Sequence, residues 1–292
     1  MHPHALVGAL LSAYYLYQVA ERQADPATFA AHRRTILAFL HFAGKPLGAV
    51  TVADLDAYTR RDGLADSTRA QYICHLRAFT AWATAEGHLQ ADPFVRVRLP
   101  KAHPAGARAV ALDDIGRLLA YAAPRPRLWV SYWVAYGAGA RAAEVAACRR
   151  EWVDLAAPQP TIQLYGKGRR YRTLPLTPLL ADVLRLWLAQ PWLGGAGPLV
   201  PSERDPGAHV SAAWTSRVMC QGLHDCGISQ GAHGLRHAFA RLILAECQDV
   251  RAVQILLGHQ SMVTTERFYV DGVEAWTTAA AGCLPDPRRR AG

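Results

Sequence analysis

The sequence predicts a mainly α-helical chain in two domains, the second an α+β domain carrying a small β-hairpin. Three observations lead there. The 292 residues exceed what one ordinary domain of roughly 100–200 residues uses. The stretch Leu99–Arg108, LPKAHPAGAR, gathers two prolines, a glycine and small residues between two regions of helical patterning, which is linker chemistry. Thr161–Leu176, TIQLYGKGRRYRTLPL, alternates on both sides of a Gly-Lys-Gly turn, the signature of a hairpin. The expected division is a helical domain over 1–98, a linker over 99–108, an α+β domain over 109–287 and a basic tail over 288–292. At 51% hydrophobic and 19% charged, wholesale disorder is excluded.

Each element follows from local pattern. Ala5–Ala20 is uncharged. It is short of the ~20 apolar residues that span a bilayer, and no Lys or Arg precedes it as in a secretory leader. A buried amphipathic helix is expected, in a soluble, cytoplasmic protein with no membrane partner. Thr28–Phe42 places Phe29, Ile36, Leu37 and Leu40 at helical spacing before Gly44 as a stop. Asp66 and Ser67 are expected to cap a helix running to Gly87, with Tyr72, Leu76, Phe79 and Ala83 on one face. Arg69 and Arg77 lie off that apolar stripe, where they are placed to meet a phosphate backbone.

In the second domain a capped helix is expected at Leu112–Ala122, then an apolar helix over Leu128–Tyr136, the turn GAGA, and a helix from about Arg141. The hairpin follows, with Lys167 at its tip. Helices resume from Leu179, with a loop at Gly194–Gly207. No internal repeat is present.

The net charge is +9, of which residues 1–100 carry +2 and the rest +7. Such an excess points to a polyanion, most simply nucleic acid. The cations are overwhelmingly arginine: Lys45, Lys101 and Lys167 are the three lysines, so a lysine between two glycines on a hairpin tip stands out. The six cysteines lack a framework spacing and read as small buried hydrophobes. Cys220, His224 and Cys226 have no fourth ligand at a standard zinc spacing, so no metal is expected.

Four clusters carry groups suited to phosphate. Arg141 and Glu144 are spaced i, i+3, so the carboxylate is placed to orient the guanidinium, although most such pairs are surface salt bridges. Lys167 is placed to reach into a groove and give up a proton; an ordinary turn lysine is the plainer reading. His233 and Arg236 share a helical face, with His237 falling on another side as a structural residue. His259 follows Gly258, a helix-ending glycine, and Tyr269 comes ten residues later. Any one tyrosine of eleven is by default a packed aromatic. Together, two arginines, a lysine, two histidines and a tyrosine make a set for metal-free phosphoryl transfer, with guanidinium forks as the electrostatic clamp.

In this order the clusters resemble the tyrosine site-specific recombinase (phage integrase) family across nearly the whole chain. GARAAEVAACRREWVDL resembles its first arginine box, YGKGRRYRTLPL its β-hairpin lysine segment, AHGLRHAFA its HxLRHTFA box and LLGHQSMVTTERFYV its LGHxSxxTT…Y box. The resemblance implies a SAM-like core-binding domain over 1–98 followed by the catalytic domain, and a DNA breaking-rejoining enzyme. It implies that Arg141 and Arg236 bind the scissile phosphate and that Lys167 is the acid for the 5′-hydroxyl. His233 would serve the tyrosine, His259 would hydrogen-bond the phosphate, and Tyr269 would form a 3′-phosphotyrosyl link with Glu144 in support. Arg69, Arg77, Arg169 and Arg170 are the expected DNA-binding residues. Double-stranded DNA, a tetramer on two DNA sites and an accessory directionality factor are the implied partners; no cofactor is implied.

Three positions depart from the pattern. Phe268 stands nine residues after His259, where many members have the tyrosine, and Tyr269 takes the ten-residue spacing of others. Ala138 and Ala140 replace the common Thr and Leu, a change of packing. Val270 and Asp271 follow the tyrosine instead of the usual histidine. Phe268 is the sole support for a reading from another class, a DNA-binding architectural or regulatory protein that kept the fold and lost catalysis. A relaxing topoisomerase is the third reading, disfavoured by the separate core-binding domain.

Overall fold

The computed structural model describes residues 3–99, 109–166, 170–258 and 284–290. The chain divides into two compact units, Met1–Ala105 and Gly106–Gly292, each with its own hydrophobic core.

The first unit is helical. Helix α1 (Pro3–Tyr15) runs into a turn of wider π-type winding (Leu16–Glu21), so the uncharged N-terminal run is helical but changes pitch. Helix α2 (Pro26–Ala43) begins where the Asp25 carboxylate accepts from the Ala27 N–H and Pro26 takes the first position; it ends at Gly44, whose φ of 61° is left-handed. These are an N-cap, a preorganised proline and a glycine stop in their usual order. Helix α3 (Val52–Thr59) starts with a reciprocal Thr51–Asp54 capping box. Helix α4 (Asp66–Ala85) follows Ala65, and no side chain caps it. Asp66 therefore lies inside the first turn and favours the helix through the positive end of its dipole, a correction to the cap expected from Asp66 and Ser67. The core comprises Tyr14, Ile36, Phe39, Tyr58, Leu76 and Phe79 among others, and each large side chain buried contributes about 1.5–3 kcal/mol.

The second unit packs helices around a three-stranded antiparallel sheet. Helix α5 (Leu112–Ala122) carries Asp113 and Asp114 in its first turn and also lacks a side-chain cap, against expectation. Helix α6 (Pro126–Gly137) is buried from Val130 to Gly137 and forms the centre of the core, with Tyr132, Trp133 and Tyr136 wholly enclosed. A turn over residues 138–141 leads into the short helix α7 (Ala142–Ala147). Strands β1 (Val153–Asp154), β2 (Thr161–Gly166) and β3 (Arg170–Pro175) pair in that order. The β2–β3 register sets Ile162 opposite Leu174 and Leu164 opposite Arg172. Ile162, Leu164 and Leu174 all face the core, so position 172 shares the inward row.

Helix α8 (Pro178–Leu188) is capped by Thr177, α9 (Ala212–Asp225) by Ser211 and α11 (Val250–Leu257) by Asp249. Helix α10 (His233–Cys247) lies between the last two. Residues Pro287–Arg290 form a 3₁₀ turn, and Leu284 belongs to the core. Within the expected basic tail, Arg288 pairs with Asp286 at 3.0 Å and lies over the Trp133 ring. No helix among the described residues is long and apolar enough to cross a membrane.

Candidate active site

One buried carboxylate organises the site. Arg141 stands at the N-cap position of α7, and Glu144 is the third residue of that helix. The Arg141 backbone N–H donates to Glu144 Oε2 at 2.7 Å, and its Nη1 donates to Oε1 at 2.9 Å. The i, i+3 contact expected from sequence forms, and Glu144 is only 2% exposed, which sets it apart from a surface salt bridge.

Two further arginines converge on the same group. Arg172, from β3, makes a bidentate contact, Nη1 to Oε1 at 2.5 Å and Nη2 to Oε2 at 2.8 Å. Arg236, in the first turn of α10, brings Nη1 to 3.8 Å from Oε2. Its Nη1 donates to the Gly139 carbonyl at 2.5 Å and its Nη2 to the Leu257 carbonyl at 2.6 Å. Arg236 thereby ties the turn before α7 to the end of α11. The three guanidiniums differ sharply in access: 37% of the Arg141 side chain is exposed, 14% of Arg172 and 2% of Arg236.

Three cations and one anion leave a formal charge of +2. Burial alone would raise the Glu144 pKa. The Arg172 hydrogen bonds and charge, the Arg141 amide and the Arg236 charge outweigh burial and hold the carboxyl below its usual range. Arg236 shows the complementary strain. Burial first, then repulsion from Arg141 and Arg172, lowers its pKa to about 9. Such a cluster is short of negative charge.

Two glycines let these elements approach. Gly139 has φ +57°, and a Cβ there would stand 2.7 Å from the Phe239 ring. Gly258, with φ +64°, ends α11 where a Cβ would stand 2.9 Å from Arg172 Cδ. Ala138 and Ala140, the two departures from the family's first box, are buried in the core.

His233 opens α10 and is exposed on its outer side. Desolvation on its protein side, then the charges of His237, Arg236 and Arg141, keep its imidazole below the ordinary histidine pKa. His237 does not fall on another side, as expected, because the i, i+4 spacing sets the two rings edge to face with centroids 4.6 Å apart.

Lys167, Arg169, His259 and Tyr269 lie outside the described residues, and of Arg170 only its backbone pairing with Gly166 is described. The structure therefore brings together Arg141, Glu144 and Arg236, with His233 at the start of the Arg236 helix. In the first unit, Arg77 is half-buried and Arg69 pairs with Asp66 at 3.5 Å. Arg69 also lines a cleft of about 270 Å³ with Asp56, Arg60 and Arg98. Among the described residues no group of three His, Cys, Asp or Glu is placed to hold a metal ion, the neighbourhood of Cys220, His224 and Cys226 included.

The model of the phage integrase family matches residues 110–274, and that of the phage integrase N-terminal SAM-like domain matches residues 11–87. The chain belongs to the phage integrase family. Tyrosine recombinase XerC of Rhodospirillum centenum is 31% identical over 269 residues, covering 85% of this chain and 78% of that protein. The XerC of Serratia marcescens is 30% identical over 274 residues, covering 88% of each. In fold, a lambda integrase tetramer bound to a Holliday junction superposes with a TM-score of 0.69 at 20% identity, over 87% of this chain and 77% of that one. The first unit is thus the SAM-like domain and the second the catalytic domain of a tyrosine recombinase, an enzyme that breaks and rejoins DNA.

Sequence reasoning missed Arg172 in this recombinase. Its signal was the strand alternation: an arginine in the row of Leu174 and Leu176, opposite Leu164, points inward and requires a buried carboxylate.

Proposed function

We propose that this recombinase exchanges strands at specific duplex sites through a 3′-phosphotyrosyl intermediate formed on Tyr269. The observation that carries the reading is the +2 cluster around Glu144, open to solvent through Arg141. A phosphodiester carries one negative charge and its pentacovalent transition state approaches two. A doubly positive cluster therefore favours the transition state over the ground state, the condition for catalysis by differential binding.

In the proposed step the Tyr269 oxygen attacks the scissile phosphorus and the bond to the 5′ oxygen breaks. Lys167 gives its proton to that oxygen, and the 3′ phosphate remains on the tyrosine. His233, kept neutral near pH 7 by its lowered pKa, takes up the tyrosine proton. Arg141 donates to the non-bridging oxygens. Arg236 adds its charge and the donors not engaged by the Gly139 and Leu257 carbonyls. His259 hydrogen-bonds the phosphate, and Glu144 orients Arg141. The phosphodiester energy is retained in the covalent link, so rejoining by the reverse reaction requires no nucleotide cofactor. Arg69, Arg77, Arg169 and Arg170 hold the DNA backbone. The working assembly is a tetramer on two DNA sites, with an accessory factor setting direction, in the cytoplasm.

Adducts trapped on genomic DNA identify the site, and a nicked duplex carrying that site then tests the mechanism. The expected result is a denaturant-stable protein–DNA adduct that maps to Tyr269 and is lost in Tyr269→Phe. Binding of the site without an adduct, or an adduct on another residue, overturns the assignment.

A further inference from the structure

Arg172 is the one member of the cluster to which the proposed chemistry gives no task. Both of its terminal nitrogens donate to Glu144, and only 14% of its side chain is exposed. Its Nε is buried without a hydrogen-bond partner. Arg236 is enclosed further still, but its terminal nitrogens donate to neutral carbonyls, whereas those of Arg172 are paired with a carboxylate that would repel a phosphate. The carboxylate it holds, however, also touches Arg141 at 2.9 Å and lies 3.8 Å from Arg236. Every hydrogen bond that Glu144 receives from Arg172 is one it does not demand from those two.

We propose that Arg172 is a positioning residue that occupies and neutralises Glu144, so that Arg141 and Arg236 keep their donors and charge for the scissile phosphate. The charge balance states the same point. Without Arg172 the cluster falls from +2 to +1, and the carboxylate becomes a competitor of the phosphate for the two remaining guanidiniums. The bidentate geometry suits this task because a fork-on-carboxylate contact fixes orientation as well as charge. Its placement also suits it, since β3 delivers the guanidinium from the core side of the hairpin, leaving Arg141 on the accessible side. Three guanidiniums within 4 Å of one carboxylate leave the cluster with surplus positive charge.

This inference rests on the reading of the cluster as a phosphate clamp, and the test separates the two. Adduct formation is measured under single turnover on the nicked site with wild type, Arg172→Gln, Glu144→Gln and the Arg172→Gln/Glu144→Gln double variant. A wild type that binds the site and forms no adduct fails the clamp reading itself. If wild type is active, Arg172→Gln is expected to slow adduct formation by roughly 10²-fold, the scale for loss of a transition-state electrostatic contact. The double variant, which restores +2 by removing the competing carboxylate, is expected to regain at least about tenfold of that loss. Because removing both partners of a buried pair also restores stability, the variants are compared at equal folded fraction, fixed by urea unfolding, so that the regained rate reads the chemistry and not the fold. The proposal is overturned if Arg172→Gln cleaves as fast as wild type, or if the double variant is no faster than Arg172→Gln. Should Arg172→Gln lose its native circular dichroism, Arg172→Lys decides. It keeps the charge and is expected to lose less than about tenfold, and a larger loss overturns the proposal.

Discussion

Glu144 is almost wholly removed from water, yet it is ionised, because two guanidiniums hydrogen-bond it and a third lies within 4 Å. Its removal leaves Arg172 and Arg236 enclosed with no counter-charge. Breaking a buried pair from one side costs about 3–5 kcal/mol, against 0–1 kcal/mol for an exposed pair. Glu144→Ala is accordingly expected to lower the unfolding free energy by ~3–5 kcal/mol in a urea titration; a loss below ~1 kcal/mol would place Glu144 with the surface pairs. At this scale the legible part of the site was the part built on one helix. Arg141 with Glu144, and His233 with Arg236, are each three residues apart, and the helix repeat alone makes such residues neighbours. Arg172 reaches Glu144 across 28 residues of chain, through a strand register that no local spacing reveals.

Helices α1, α2 and α4 enclose a polar chain inside an otherwise apolar core. Gln18 donates to the Tyr14 hydroxyl at 2.9 Å, and that hydroxyl meets His32 Nδ1 at 3.0 Å. The His32 and His75 rings lie 4.2 Å apart, and His75 Nδ1 meets the Thr35 hydroxyl at 2.9 Å. Burial, then the neighbouring His75, lowers the His32 pKa to about 4, and burial lowers that of His75. Between the ordinary histidine value of about 6.5 and these lowered values, the unfolded chain binds protons that the folded unit refuses. Stability from this pair is therefore complete above pH ~6.5 and declines as the pH falls toward 4. Hydrogen exchange in α2 and α4 is expected to accelerate between pH 7 and 5, after correction for intrinsic rates, and His32→Phe is expected to reduce the acceleration. Equal protection at both pH values would count against the pair. The helices themselves were legible from apolar periodicity, whereas two of their starts were misread. Asp66 and Asp113–Asp114 occupy first turns, where a carboxylate satisfies the same helix dipole that a cap would.

Across the whole molecule, the division of charge follows the division of labour. The catalytic half holds most of the net positive charge, and its surplus cations meet at Glu144. That half is also closed by a distant piece of its own sequence. Leu284 enters the core, the Tyr136 hydroxyl donates to the Pro285 carbonyl at 2.6 Å, and Arg288 covers Trp133. Helix α6, which receives the contacts of Pro285 and Arg288, leads directly into the turn that presents Arg141. A chain stopped after Cys283 would contain every candidate site residue, yet Tyr136 would be left without its acceptor and the core without Leu284. The two losses amount to roughly 3–6 kcal/mol. Such a truncated recombinase is expected to melt well below the full chain in a calorimetric scan, and equal melting temperatures would show that the segment contributes nothing. In synthesis the contacts of residues 284–288 are added only after every candidate site residue has been made, so a chain terminated between the two is expected to carry the site on a less stable scaffold.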